Sequence, residues 1–296
     1  MTERPLLVTG ASGLLGWHLA RIASASRDVV AAGGRHAPEL SPASCVQLDL
    51  TDTEATHAAL DTYSPSAIIH CAAQSKPNDC EEDPEGSYAI NVTASAHLAQ
   101  AAADRNIPFA FTSTDLVFDG LDGNYDEIAT PNPVNRYGQQ KLEAEQAILS
   151  IYPGAAVCRC PLMYGIPSPH ATSFLGFMLQ ALDNKEPCKL FSDEFRSVAD
   201  VEDVAQGLLQ AIDSGWSGLL HLGGPERVSR YDIGLILARH TGAASDLFTP
   251  LTQAELQMTA PRPPDVSLNS SKAFGLGYTP QHVEDGLQRV VRARSA

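Results

Sequence analysis

The 296-residue chain has no apolar run approaching the length needed to cross a bilayer as a helix, so a helical membrane protein is excluded. It is also poor in basic residues. Twenty Lys and Arg stand against 35 Asp and Glu, a formal charge of −15, which argues against general nucleic-acid binding. A phosphorylated small ligand is still open, because a few arginines in one cleft can set the local field. The six cysteines, Cys45, Cys71, Cys80, Cys158, Cys160 and Cys188, are scattered and contain no Cys-x-x-Cys pair. They read as reduced, mostly buried thiols of a cytoplasmic protein, with no metal site. His70, His170 and His221 lack the spacing of ligands or nucleophile partners and read as structural histidines. Met1 to Pro5 leads straight into an apolar strand, so no secretory signal is expected. The sequons at Asn91 and Asn269 then carry no weight.

What is present is organised around Val8-Thr9-Gly10-Ala11-Ser12-Gly13-Leu14-Leu15-Gly16. Leu6 to Val8 reads as a buried strand, and Leu19, Ala20 and Ile22 continue with helical spacing. A strand that feeds a helix through such a turn leaves the first helical N–H groups free to hold a pyrophosphate. The glycines permit the tight turn and the close approach of a ligand. An ordinary strand-to-helix turn is the plain alternative. Further strands follow at Val29–Ala32, Cys45–Leu48, Ala67–Cys71, Phe109–Thr112 and Ala155–Cys158. Helices are predicted over Thr53–Tyr63, Pro84–Arg105 and Tyr137–Ile151. This alternation predicts an α/β fold, a doubly wound parallel sheet with its ligand site at the carboxyl ends of the strands. After Pro161 the prolines multiply, which fits a smaller, loop-rich lobe. Val201–Ile212 and Gly218–Leu222 read as a helix and strand returning to the main sheet, which makes that lobe discontinuous.

Nicotinamide-nucleotide domains that bind NAD usually carry an acid about twenty residues past the glycines, on the ribose 2′-hydroxyl. Here that place holds Gly33-Gly34-Arg35-His36, and Arg35 is suited to grip a 2′-phosphate. The cofactor expected is therefore NADP(H), with a solvated surface arginine as the alternative. Asp49 and Leu50 are placed to face the adenine, and Cys71-Ala72-Ala73 offers small side chains where backbone must approach the cofactor. Thr112-Ser113-Thr114-Asp115 puts hydroxyls at the end of the fifth strand, suited to a developing alkoxide. Tyr137 and Lys141 lie at i and i+4 on one helical face. A free tyrosine has a pKa of about 10, and a neighbouring ammonium is expected to bring it toward working range.

These stretches, with Ser113-Thr114-Asp115-Leu116-Val117-Phe118-Asp119-Gly120, Asn135-Arg136-Tyr137-Gly138 and Arg262-Pro263, make the chain resemble an extended short-chain dehydrogenase/reductase. Within that group it resembles the dTDP-4-dehydrorhamnose reductase family, over nearly its whole length. The resemblance implies a Rossmann domain over 1–160 plus about 192–222, and a substrate lobe over about 161–191 plus 223–296. It implies Thr114, Tyr137 and Lys141 as the catalytic triad, with Tyr137 the proton donor and Lys141 on the nicotinamide ribose. Gly10 and Ser12, Gly13, Leu14 and Leu15 would cradle the pyrophosphate, and Met163 would border the nicotinamide. Arg196 and Arg262 would contact the diphosphate of a nucleotide-linked sugar, with packing and surface pairing as the alternative. Phe174 would line the sugar pocket or belong to the core. A homodimer through the helix carrying Tyr137 is the partner the resemblance implies.

The implied reaction is NADPH-dependent reduction of the keto group of a nucleotide-linked deoxysugar. Dehydratases of the same superfamily carry a glutamate after the Thr-Asp pair, where this chain has Leu116, and epimerases usually show the acid missing at Arg35. The β subunit of methionine adenosyltransferase also resembles this pattern, so a non-catalytic, NADP-binding regulatory subunit is the alternative from another class. Phe195-Arg196-Ser197-Val198 departs from the Pro-Thr step of many rhamnose-pathway reductases and leaves the sugar open.

Overall fold

The computed structural model describes residues 4–171 and 173–295; Met1 to Glu3, read above as leading into the first strand, lie outside the described residues. The first half alternates as β1 (Leu6–Thr9), α1 (Leu14–Ala23), β2 (Val29–Gly33), β3 (Ser44–Gln47), α2 (Thr53–Tyr63) and β4 (Ala67–His70). Then come the short helices α3 (Pro77–Glu82) and α4 (Pro84–Tyr88), α5 (Ser95–Asp104), β5 (Phe109–Thr114), α6 (Arg136–Ile151) and β6 (Ala156–Cys160). The second half holds β7 (Met163–Tyr164), α7 (Leu175–Asn184), β8 (Cys188–Phe191), β9 (Phe195–Arg196), β10 (Ala199–Asp200) and α8 (Val201–Asp213). It closes with β11 (Gly218–His221), β12 (Val228–Ser229), α9 (Arg230–Thr241), β13 (Phe248–Leu251), α10 (Ser271–Gly275) and α11 (Val283–Ser295).

Seven strands form one parallel sheet in the order β11-β6-β5-β4-β1-β2-β3. Successive strands run outward from β1 in one direction and from β4 in the other, so the strand order reverses between β1 and β4. A crevice opens there at the carboxyl ends. Side chains alternate between faces, as strand geometry demands. Leu6 and Val8 join Leu19 of α1 and Val204 and Leu208 of α8 on one side. Leu7 joins Leu98 of α5, Phe109, Phe111 and Ile148 of α6 on the other. With both faces covered, β1, β2, β5 and β6 are buried at every position rather than at alternate ones. The remaining strands pair two by two around a separate core of Tyr164, Leu175, Met178, Leu190, Ile233, Leu237, Phe248 and Leu287. No helix among the described residues is long and apolar enough to cross a membrane.

One stretch departs from the expected regular helix. Between α4 and α5 the backbone opens into a π-helical turn, Ala89–Ala94. Asn91 sits in it, fully buried, and its carboxamide accepts from Gln74 N (2.8 Å) and donates to Gln74 O (3.1 Å) and Gln140 Oε1 (2.8 Å). Hydrophobic periodicity is nearly blind to one extra residue per turn, whereas a buried carboxamide must find partners. The wider turn brings those partners within reach. It ties the loop after β4 to α6.

Beneath the sheet lies a buried charged chain. Arg159 of β6 donates to Glu145 of α6 through Nε (2.9 Å) and Nη2 (2.7 Å). Its Nη1 lies 3.4 Å from His221 Nε2, while His221 Nδ1 faces the Tyr125 carbonyl at 3.1 Å. A carbonyl only accepts, so the proton sits on Nδ1 and Nε2 receives Arg159. Burial holds the imidazole down to about 4, against the pull of Glu127. Glu127 accepts from His221 N and pairs with Lys272.

Candidate active site

At the strand-order reversal, Gly10 adopts φ +68°, and a Cβ there would stand 2.5 Å from Ala72 N. The turn after β1 thus presses on the loop after β4, and only glycine fits both constraints. Gly10→Ala should cost about 3 kcal/mol and lower the unfolding temperature. An unchanged melting curve would remove this reading of the turn. Gly13 caps α1 with no side-chain hydrogen bond, so the first N–H groups of a ten-residue helix face the crevice. Ser12, Gly13 and Leu14 are half-buried there, and Leu15 turns into the core and offers only backbone.

Arg35 is exposed beyond β2, its guanidinium without an ion pair among the described residues, and neighbouring His36 stacks on His170 at 5.4 Å between centroids. Asp49 is exposed, with the Thr51 hydroxyl (2.7 Å) and amide (2.9 Å) holding its carboxyl below the usual range; Leu50 is half-buried beside it. Cys71, Ala72 and Ala73 are half-buried at the end of β4. Burial pushes the Cys71 thiol up, which makes it a small neutral side chain rather than a nucleophile. His70 is fully buried between Thr9 Oγ1 (2.6 Å) and Ser95 Oγ (2.9 Å), and burial drives its imidazole down to about 3. It is structural.

β5 continues to Thr114, two residues beyond the expected end, and so places that hydroxyl at the carboxyl end of the strand. Thr114 Oγ1 donates to Asp115 Oδ1 (3.1 Å) and accepts from Leu116 N (3.2 Å), and Thr114 acts on the Tyr137 phenol. Helix α6 begins on Asn135, whose Oδ1 caps Gly138 N (2.9 Å) and whose Nδ2 reaches Pro261 O (3.1 Å). Tyr137 and Lys141 therefore stand on its first turns, both buried. The expected lowering of the phenol by Lys141 does not dominate. Burial pushes Tyr137 above its ordinary range, with Cys80, Asp115 and Cys160 adding to it and the Thr114 hydrogen bond opposing. Lys141 is 1% exposed, and its Nζ has no hydrogen-bond partner among the described residues. It lies 3.9 Å over the Phe111 ring, and burial lowers it to about 8 against Glu145 one turn on. A buried ammonium without acceptors is costly and marks where a ligand's hydroxyls would fit.

Met163 is half-buried just beyond β6. Arg196 is buried and commits Nη1 to both oxygens of Asp115, at 2.8 and 2.9 Å. Burial raises the Asp115 carboxyl and Arg196 opposes it. Arg262 donates to Asn78 Oδ1 (3.2 Å), and Phe174 packs on the second core with Arg230 lying 6.0 Å over its ring. The structure adds Glu194 and Arg230, which share a pocket with Arg196, Leu162, Val198 and Val228. Neither stood out in sequence, because a charge in a loop and an arginine opening a helix are ordinary surface features. Among the described residues no group of three or more His, Cys, Asp or Glu is arranged to hold a metal ion.

The arrangement can position a carbonyl against a protonated phenol, with an ammonium one helical turn away. Comparison with known proteins places the chain in a family. The RmlD substrate binding domain model matches residues 4–295. A probable low-salt glycan biosynthesis reductase, Agl14, of Haloferax volcanii is 33% identical over 97% of both chains. Methionine adenosyltransferase 2 subunit beta of Rattus norvegicus is 32% identical over 93% of this chain and 83% of its own. A hypothetical dTDP-4-dehydrorhamnose reductase from Sulfolobus tokodaii superposes with TM-score 0.80 at 28% identity, over 92% of this chain and 94% of that one. One from Clostridium acetobutylicum superposes with TM-score 0.87 at 25% identity, over 99% and 100%. The chain belongs to the RmlD substrate binding domain family.

Proposed function

We propose that the protein is an NADPH-dependent reductase of the keto group of a nucleotide-linked deoxysugar. The observation that carries this reading is that the buried Tyr137 phenol stands on the same helix as the buried Lys141 ammonium, whose Nζ has no partner among the described residues. The residues fit a nicotinamide dinucleotide. The uncapped start of α1 at Gly13 suits a pyrophosphate, and Lys141 Nζ needs acceptors that ribose hydroxyls offer. When bound, the reduced nicotinamide supplies the hydride. Thr114 and Tyr137 orient the substrate carbonyl, and Tyr137 gives its proton to the oxygen as charge develops there. Lys141 then offsets the phenolate left behind. Arg196 and Arg262 supply positive charge for the substrate's diphosphate.

Leu116 is buried in an apolar cluster with Val117, Phe118 and Tyr125, so no carboxyl group stands there for a dehydratase's acid–base pair. The regulatory reading draws support from the 32% identity to the methionine adenosyltransferase subunit. NADPH consumption across a panel of dTDP- and other nucleotide-linked 4-keto sugars separates the two: turnover is expected, and silence together with copurification of a partner enzyme would favour regulation. In the same assay Arg35→Asp should erode the preference for NADPH over NADH by about 10- to 100-fold, as loss of a charge-assisted bond requires. An unchanged preference would rule Arg35 out as the 2′-phosphate contact.

A further inference from the structure

The pocket beyond Arg196 carries two groups that hydride and proton transfer do not use. Glu194 is 3% exposed, and neither of its carboxylate oxygens has a hydrogen-bond partner among the described residues. Arg230 Nε is buried and unpartnered too. The two are coupled only through space, with Glu194 acting electrostatically on both Arg230 and Arg262. A buried carboxylate without donors is among the costlier features a fold can keep, and a ligand that brings donors recovers that cost.

Donor and acceptor count selects the ligand. A phosphate brings acceptors only, and its charge would face that of Glu194. A pair of neighbouring hydroxyls brings one O–H for each carboxylate oxygen and keeps lone pairs for Arg230 Nε. The pocket lies beside the reacting end of the cleft. Its wall residue Leu162 precedes Met163, and Arg196, on the same wall, is bonded to Asp115 next to Thr114. Glu194 immediately precedes β9, which carries Arg196, and both line the pocket.

We propose that Glu194, with Arg230, receives vicinal hydroxyls of the sugar ring whose keto group faces Tyr137, and so selects hydroxylated sugars over their deoxygenated counterparts. Arg262 and the free nitrogens of Arg196 are left for the anionic part of the substrate. The inference rests on the reductase reading and adds the substrate feature that the pocket demands. A neutral apolar pocket would tolerate a missing hydroxyl, whereas a site built around a carboxylate leaves it stranded when the hydroxyl is absent.

The test gives the NADPH-loaded protein two nucleotide-linked 4-keto sugars that differ only in one ring hydroxyl. The wild type should prefer the hydroxylated sugar by roughly 10³-fold in kcat/KM. Glu194→Gln should cut that preference below about tenfold, mainly by raising KM for the hydroxylated sugar, with the deoxy sugar almost unaffected. Thermal unfolding without substrate checks that the variant is folded, and if it is not, Arg230→Met carries the test with a partial loss of preference. A wild type that reduces both sugars equally well, or a Glu194→Gln that slows both by the same factor, would overturn the inference and leave the reductase reading intact. A wild type that binds NADPH and neither binds nor reduces either sugar would remove both.

Discussion

Tyr137→Phe should lower kcat for reduction of a nucleotide-linked keto sugar by about 10³-fold while leaving the Kd for NADPH within a factor of about two. The phenyl ring keeps the packing on Leu116 and Val117, and only the hydroxyl with its proton is lost. Because burial holds the phenol above its ordinary range, the donor stays protonated throughout the neutral range, and kcat should be level there. Burial lowers Lys141 to about 8 in the free enzyme, so kcat/KM should fall as the pH rises through that value, when the ammonium proposed to meet the cofactor is lost. A variant that kept wild-type kcat would end the assignment of Tyr137 as donor.

Lys141→Met should make the protein more stable and nearly inactive. Burial moves the ammonium from 10.5 to about 8, which corresponds to a folding penalty of about 3 kcal/mol. The contact with the Phe111 ring returns about 1 kcal/mol of this. Methionine fills the same space without the charge, so a net gain of about 2 kcal/mol, or roughly 4 °C in Tm, is expected at pH 7. The sign can be checked by titration. Below pH 8 both folded and unfolded chains hold the proton and the penalty is whole; between about 8 and 10.5 the folded chain gives it up first. In that window the unfolded chain binds more protons, so this group makes wild-type stability rise with pH. The advantage of Lys141→Met should shrink over the same range. NADPH binding, by contrast, should weaken at least tenfold if, as proposed, the ammonium donates to the cofactor's ribose hydroxyls. A Tm that falls would mean that Lys141 holds the fold rather than the cofactor.

The parts of the site governed by local rules were legible in the sequence. The glycine turn follows from backbone freedom, the Tyr137–Lys141 pair from helical spacing, and the parallel sheet from short apolar strands interleaved with helices. What stayed hidden depends on partners distant in sequence. Asn91 looked like a sequon inside an alanine-rich helix, yet its role is set by Gln74 and Gln140. Arg196 was legible as an arginine, but its pairing with Asp115, 81 residues away, was not. The Tyr137 phenol shows the same limit from the other side. Spacing brought the ammonium near it, and the depth of burial that outweighs that ammonium emerged only from tertiary packing.

The buried chain from Glu145 through Arg159 to His221 bears on how this sequence can drift. Removing one member of a buried ion pair strands the other, at about 3–5 kcal/mol, whereas exchanging both for apolar residues of similar volume can be neutral. Glu145 and Arg159 are 14 residues apart and lie on different elements, yet they are constrained to change together or not at all. In a randomised library, survivors altered at one of these two positions should therefore be enriched for a matching change at the other, and the pair would behave as a single heritable character.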